Sequence, residues 1–249
     1  MLDVLGQLDS ATTDVLAALD DADLEAPSLL PGWSVLTIAC HLRYGAQALR
    51  WMTRDAIAGK PTSYYPAGRA SQRPMTLVPN EDESSDAVVT SLHRESDALL
   101  EGWRAVDDWA TRVVEPPDNP DLGPIELRRL ALARLTEVEV HGTDLGLGLG
   151  LWSDVLVRHV LPMRLDWLNI RRSNHRQVDE AIRTSWLLVA TDMDVSQVVA
   201  VDGPHVVSQP GDTADTTIVG TGAELLSLLL GRAPEGFAPA DFSRALPGP

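Results

Sequence analysis

The chain has 249 residues, and 36 Asp and Glu against 20 Lys and Arg leave a formal charge of −16. That excess of acid excludes a nucleic-acid binder, which needs a basic surface to displace counterions from phosphates, and disfavours an anionic membrane surface. A 44% hydrophobic content with 22% charged residues is that of a folded chain long enough to bury a core, while the single cysteine, Cys40, allows neither an internal disulfide nor a cysteine zinc knuckle.

The longest apolar runs fall far short of the roughly 20 residues that a bilayer span needs. The first basic residue is Arg43, so the basic start of a secretory leader is missing and a cytoplasmic protein is expected. Only Lys60 among the basic residues is lysine, a bias of GC-rich coding.

Residues 2–19 space Val4, Leu5, Leu8, Val15, Leu16 and Leu19 as one face of a helix. A connector with Pro27 and Pro31 follows. Ser34 then offers an N-cap to a long helix that reaches about Ala58 and stops at Gly59. Residues 60–80 carry four prolines and the pair Tyr64-Tyr65, an irregular stretch longer than an ordinary connection. A third helix is expected over 84–105, with Val88, Leu92, Leu99 and Trp103 inward. Pro116, Pro117 and Pro120 punctuate the next connection, and Pro124 suits the first turn of a fourth helix running to Leu145. A fifth spans 153–172. β-rich runs follow at 186–191, 198–201 and 216–219, and a last helix over 223–230 ends at Gly231. The fold class this predicts is α+β: an antiparallel four-helix bundle over 1–173 and a small α+β domain over 174–249.

Chemistry concentrates on the fourth helix. Glu137 and His141 are four residues apart and share a face, about 40° apart around the axis. Such a pair can offer a carboxylate oxygen and an imidazole nitrogen to one divalent ion, though it also occurs on ordinary solvated faces. Arg134 and Asp144 extend the same stripe, and Glu139 points away. On the second helix His41 has Thr37, Gly45 and Ala48 on its face, all small, and Gly45 marks a place of close approach. Cys40 points about 100° away from His41. No nucleophile elbow, P-loop or dinucleotide fingerprint is present.

Leu30-Pro31-Gly32-Trp33 followed by His41-Leu42 resembles the entry to the second helix in the mycothiol-dependent maleylpyruvate isomerase family, whose members are DinB-like metal-binding bundles. The run from Arg134 to His141, continued by Asp144-Leu145, is similar to that family's second signature. The stretch from Thr217 to Gly231-Arg232 resembles its small C-terminal domain. The resemblance implies that His41, Glu137 and His141 hold a divalent metal, usually zinc, and that mycothiol is the thiol cosubstrate. Two imidazoles and a carboxylate leave such an ion an open position at which a thiol becomes thiolate. The thiolate then serves addition to a small electrophile, cis–trans isomerisation or thiol exchange. The resemblance also lets Arg232 hold a carboxylate of substrate or thiol, where it otherwise serves as a cation at a helix C-terminus; Arg134, a further catalytic candidate, either orients the metal ligands with Asp144 or pairs with it on the helix surface. Tyr64 and Tyr65, with Arg69 and Arg73, are candidates to shape the binding pocket, the other reading of this stretch being an exposed loop. The partners implied are a small-molecule thiol and an electrophile, with the chain a monomer or homodimer. The alternative is a non-catalytic DinB-like protein that binds a metal, a thiol or another small molecule.

Overall fold

The computed structural model describes residues 1–113, 125–150, 152–171 and 181–246. They fall into two compact units, Met1–Ser153 and Asp154–Pro249.

The first unit is a four-helix bundle made of α1 (Leu2–Asp20), α2 (Val35–Ile57), α4 (Ser85–Arg104) and α5 (Leu127–Asp144). α1 packs on α4 and α5, and so does α2, so the ring runs α1–α4–α2–α5 and places α2 beside α5. The apolar face read for α1 is the buried one. α2 begins where Ser34 accepts a hydrogen bond from the Thr37 amide, and it gives way to Gly59 at φ +64°. It is buried on most sides, because the 60–80 segment closes over it as well. That segment contains a single turn, α3 (Arg69–Gln72), and a 3-10 turn (Arg73–Leu77) packed on α2. At the core, Trp103 donates from Nε1 to Thr53 Oγ1 at 2.8 Å.

Two short strands, β1 (Arg112–Val113) and β2 (Ile125–Glu126), pair antiparallel before α5. α5 thus begins at Leu127, later than a start at Pro124 would place it. Pro116, Pro117, Pro120 and Pro124 lie outside the described residues.

The second unit contains α6 (Asp154–Arg171), a four-stranded sheet and two helices, α7 (Gly222–Leu229) and α8 (Ala240–Ala245). The strands are β3 (Arg183–Ala190), β4 (Ser196–Asp202), β5 (His205–Pro210) and β6 (Thr216–Gly220), in the order β5-β4-β3-β6. β3 pairs antiparallel with β4 and parallel with β6, and a two-residue Gly203-Pro204 turn joins β4 to β5. Trp186 and Phe242 meet edge to face at 5.1 Å in its core. α6 packs against α7 and β5, so it groups with this unit, whereas the boundary drawn from sequence at 173/174 put it with the bundle. Two elements were not visible in the sequence. β5 is an edge strand with only Ser208 buried, and α8 buries only Phe242 and Ala245, so neither shows a clear apolar period. No helix among the described residues is long and apolar enough to cross a membrane.

Replacing Ser34 with Ala removes the cap of the helix that carries His41. It is expected to lower stability by about 1 kcal/mol without changing the urea m-value, which equilibrium unfolding would measure.

Candidate metal centre

α2 and α5 lie side by side, and the imidazole of His41 meets the polar stripe of α5. His41 Nε2 is 2.7 Å from Glu137 Oε2, and His141 Nε2 is 3.3 Å from the same oxygen. One donor atom from each of His41, Glu137 and His141 lies within 4.8 Å of the other two. Among the described residues this is the group of His, Cys, Asp or Glu side chains that can hold a divalent ion. Both imidazoles are largely buried, whereas the Glu137 side chain is 44% exposed and marks the open side of the cluster.

The two imidazoles differ in their support. His141 Nδ1 stands 2.8 Å from Asp144 Oδ2, and Asp144 is itself buried. A carboxylate can only accept, so a ring proton sits on Nδ1 and Nε2 is the nitrogen turned toward Glu137, donating to it while the ring is protonated. His41 Nδ1 is buried without a hydrogen-bond partner. Trp33 touches both rings, edge-on to His41 at 5.6 Å and stacked on His141 at 6.1 Å. It is held there because the segment before α2 is fastened to the end of α5, where the Leu29 amide donates to the Asp144 carbonyl at 2.8 Å.

These surroundings set the charges. Burial, helped by the nearby His141 and Arg73, holds His41 below the ordinary histidine pKa against the pull of Glu137. Burial also opposes ionisation of Glu137, but His41 and His141 outweigh it and keep the carboxylate well below its usual range. For His141 burial is again overcome, here by Asp144 and Glu137, and its pKa rises to about 9.

The remaining sequence candidates are placed as follows. Arg134 is buried, donating from Nη1 to the Leu42 carbonyl at 2.8 Å and from Nη2 to Ser96 Oγ at 3.4 Å. Burial lowers its pKa to about 10 despite the favourable charges of Tyr64 and Glu137. Tyr65 is buried and stacked on Tyr44, with Arg73 Nη1 3.4 Å from its hydroxyl and the Arg69 guanidinium over its ring. Tyr64 is half-buried at the edge of this aromatic cluster. Its hydroxyl and Arg134 Nη1 both approach Gly45, where a Cβ would stand 3.2 and 3.1 Å from them. The close approach expected at Gly45 is therefore that of Arg134 and Tyr64. Arg232 lies in the second unit, where it follows α7 and donates from Nη1 to the Leu230 carbonyl at 3.0 Å. Glu139 points away from the cluster and bonds Gln7 and Ser153. His93 pairs with Asp20, and His175 lies outside the described residues. Sequence reasoning missed the contact of Trp33 with both rings, for which tryptophan eight residues before a helical histidine is no signal.

The donor set fits a divalent ion of the zinc type. Two imidazole nitrogens and one carboxylate oxygen converge, and the Asp144–His141 pair is the usual outer support of a metal-bound histidine.

A four-helix bundle with an inward His-Glu-His cluster, joined to a small α+β unit, defines a DinB-like metal-binding protein. The sequence profile of the mycothiol maleylpyruvate isomerase N-terminal domain matches residues 5–146, and the chain belongs to that family. The crystal structure of a mycothiol-dependent maleylpyruvate isomerase is similar with a TM-score of 0.67 at 19% identity, covering 94% of this chain and 90% of that one. The structure of a mutant of that isomerase, with one histidine replaced by alanine, gives 0.66 at 18% identity over 93% and 89%. At these identities the likeness is one of fold. No curated protein matches the chain.

Across the neutral range His141 is the ligand that carries a proton, because His41 and Glu137 are held low. A metal ion must displace that proton. Affinity for Zn²⁺ is therefore expected to rise about tenfold per pH unit below pH 9 and to level off above it, with about one proton released near neutrality. Calorimetry in buffers of different ionisation enthalpy measures both. Asp144→Asn is expected to weaken binding by about 10- to 100-fold.

Proposed function

We propose that the chain is a metal-dependent thiol enzyme. It activates mycothiol as a thiolate for addition to, or exchange on, a small electrophile, with cis–trans isomerisation as one outcome. The observation that carries this reading is the convergence of His41 and His141 on Glu137, with Asp144 fixing the tautomer of His141. The family and the isomerase structures of the same fold support it. A divalent ion at the cluster, zinc in this proposal, would supply positive charge and an open position at which an entering thiol loses its proton.

The chain's own residues prepare that position. Burial holds His41 below the ordinary histidine pKa, so its ring carries a single proton near neutral pH and need lose none to become a ligand. Asp144 orients His141, and Trp33 packs against both rings to limit their rotation. The half-exposed Glu137 side chain leaves the cluster accessible from one side. Cys40 is fully buried, and burial pushes its thiol up to about 11, so it stays protonated and supplies no nucleophile. The working sulfur comes from a small molecule. In this proposal Arg232 holds a carboxylate of the thiol or the substrate, and Arg232→Ala raises KM while leaving metal content unchanged.

The purified chain is expected to carry about one zinc, by the ligand count of a single catalytic site. His41→Ala and Glu137→Ala each abolish both metal and turnover, read by elemental analysis and by mass spectrometry of mycothiol incubated with maleylpyruvate and a panel of electrophiles. An S-adduct identifies transfer, and an isomerised product identifies isomerisation. Full turnover after complete removal of metal would refute the reading.

A further inference from the structure

The segment between α2 and α4 gathers positive charge at one buried tyrosine. Arg73, at the start of the 3-10 turn that packs on α2, is half-buried, and its Nη1 donates to Tyr65 Oη at 3.4 Å. The Arg69 guanidinium lies over the same ring, 5.7 Å from its centroid. Tyr65 is 5% exposed and stacks on Tyr44 at 5.4 Å, and Tyr44 follows His41 on α2 by three residues, about 4.5 Å of axial rise. These contacts tie Arg73 to the part of α2 that carries His41. Its charge reaches that ring, where it helps to lower the pKa.

Arg73 and the Tyr65 hydroxyl are both donors left without an acceptor of their own. In this acidic chain Arg43, Arg50, Arg104 and Arg183 each pair with a carboxylate. Arg73 has no ion pair among the described residues. The Tyr65 oxygen already accepts from Arg73, so its own proton goes elsewhere, and among the described residues it meets no acceptor. Buried donors are normally satisfied. A guanidinium N–H beside a phenol O–H, with a second guanidinium on the same ring, is complementary to a carboxylate, which only accepts.

We propose that Arg73 and the Tyr65 hydroxyl bind a carboxylate of the electrophile and make the site selective for carboxylate-bearing electrophiles over neutral ones. The proposal rests on the thiol reading above for the reaction that this electrophile undergoes. Arg73 is a specificity-determining residue, separate from Arg232, which lies in the second unit. A carboxylate receives one hydrogen bond from the guanidinium and one from the phenol, whereas an ester of the same skeleton leaves the guanidinium charge unpaired. Sites built on such donors reject analogues that cannot accept from them. At −16 the chain gives an anion no help from a distance, so the selection has to be made by local donors.

The test is calorimetric titration of the zinc-loaded full chain with maleate, beside its neutral dimethyl ester, in the absence of thiol. Leaving out the thiol separates this proposal from the reading beneath it, whose failure shows instead as no thiol-dependent product from any electrophile. The ester is expected to bind the wild-type chain at least about 10-fold more weakly than maleate. Arg73→Gln is expected to weaken maleate binding about 10- to 100-fold, as for a hydrogen bond to a charged group, and Arg73→Lys to recover part of that loss. Tyr65→Phe keeps the stack on Tyr44 and is expected to weaken it about 3- to 10-fold. Zinc content stays at the wild-type level in all three variants. Equal binding of maleate and the ester, no binding of maleate to the wild-type chain, or wild-type affinity in Arg73→Gln overturns the proposal. Loss of zinc in Arg73→Gln overturns it too, since the guanidinium would then be supporting the ligand cluster.

Discussion

A single carboxylate oxygen, Oε2 of Glu137, faces two imidazole nitrogens, one from α2, 96 residues away in the chain, and one four residues further along its own helix. That meeting requires α2 and α5 to be neighbours, and the ring order of the bundle makes them so. It also requires the facing side of α2 to be thin, which Thr37, Gly45 and Ala48 ensure on either side of His41. The paired charges hold Glu137 ionised and keep a second proton on His141 up to about pH 9, which an entering metal ion must displace. His41, with its second nitrogen unpartnered, is the weaker base of the two. The cluster thus combines one imidazole that sheds its extra proton below the ordinary histidine pKa with one that keeps it to about pH 9.

The stripe on α5 runs against ordinary core composition. Arg134 and Asp144 are buried, His141 is nearly so, and most of the helix's other buried positions are apolar, Glu139 and Thr136 being the polar exceptions. Buried ionised groups are retained at the expense of stability unless each finds partners, and breaking one such pair typically costs about 3–5 kcal/mol. Each group here has its partner: Arg134 the Leu42 carbonyl, Asp144 the His141 ring, His41 and His141 the Glu137 carboxylate. Apolar residues of similar volume would build a bundle at least as stable. The stripe is therefore better explained by what it does than by what it holds together.

Local chemistry made much of this legible in the sequence. Ser34 and Gly59 bracket α2 because capping and positive φ are properties of single residues. The spacing of Arg134, Glu137, His141 and Asp144 put them on one face before any fold was known. That His41 joins them came from the family resemblance, because which helices are neighbours is a tertiary fact. The 60–80 segment was readable only as irregular, since its order depends on Tyr44 and Trp51, which bind the Tyr64 and Ser63 carbonyls from α2. Gly45 was legible as a gap but not as a gap for Tyr64 and Arg134. The grouping of α6 with the sheet was hidden for the same reason: its apolar face looks alike whether it packs on helices or on β5.

At −16 the chain as a whole repels anions, so an electron-rich reactant gains nothing from long-range steering and must be stabilised locally. Locally, cations are held beside the acids: Arg134 is buried with Tyr64 against Gly45, and the charge of Arg73 is felt at His41. What this neighbourhood lacks is a nucleophile. The only thiol in the chain, Cys40, is the residue next to His41, yet burial keeps it protonated and keeps a soft competing ligand out of the cluster. A cluster that can hold a divalent ion beside a protonated, buried thiol accords with the proposal above that the working sulfur arrives from solution.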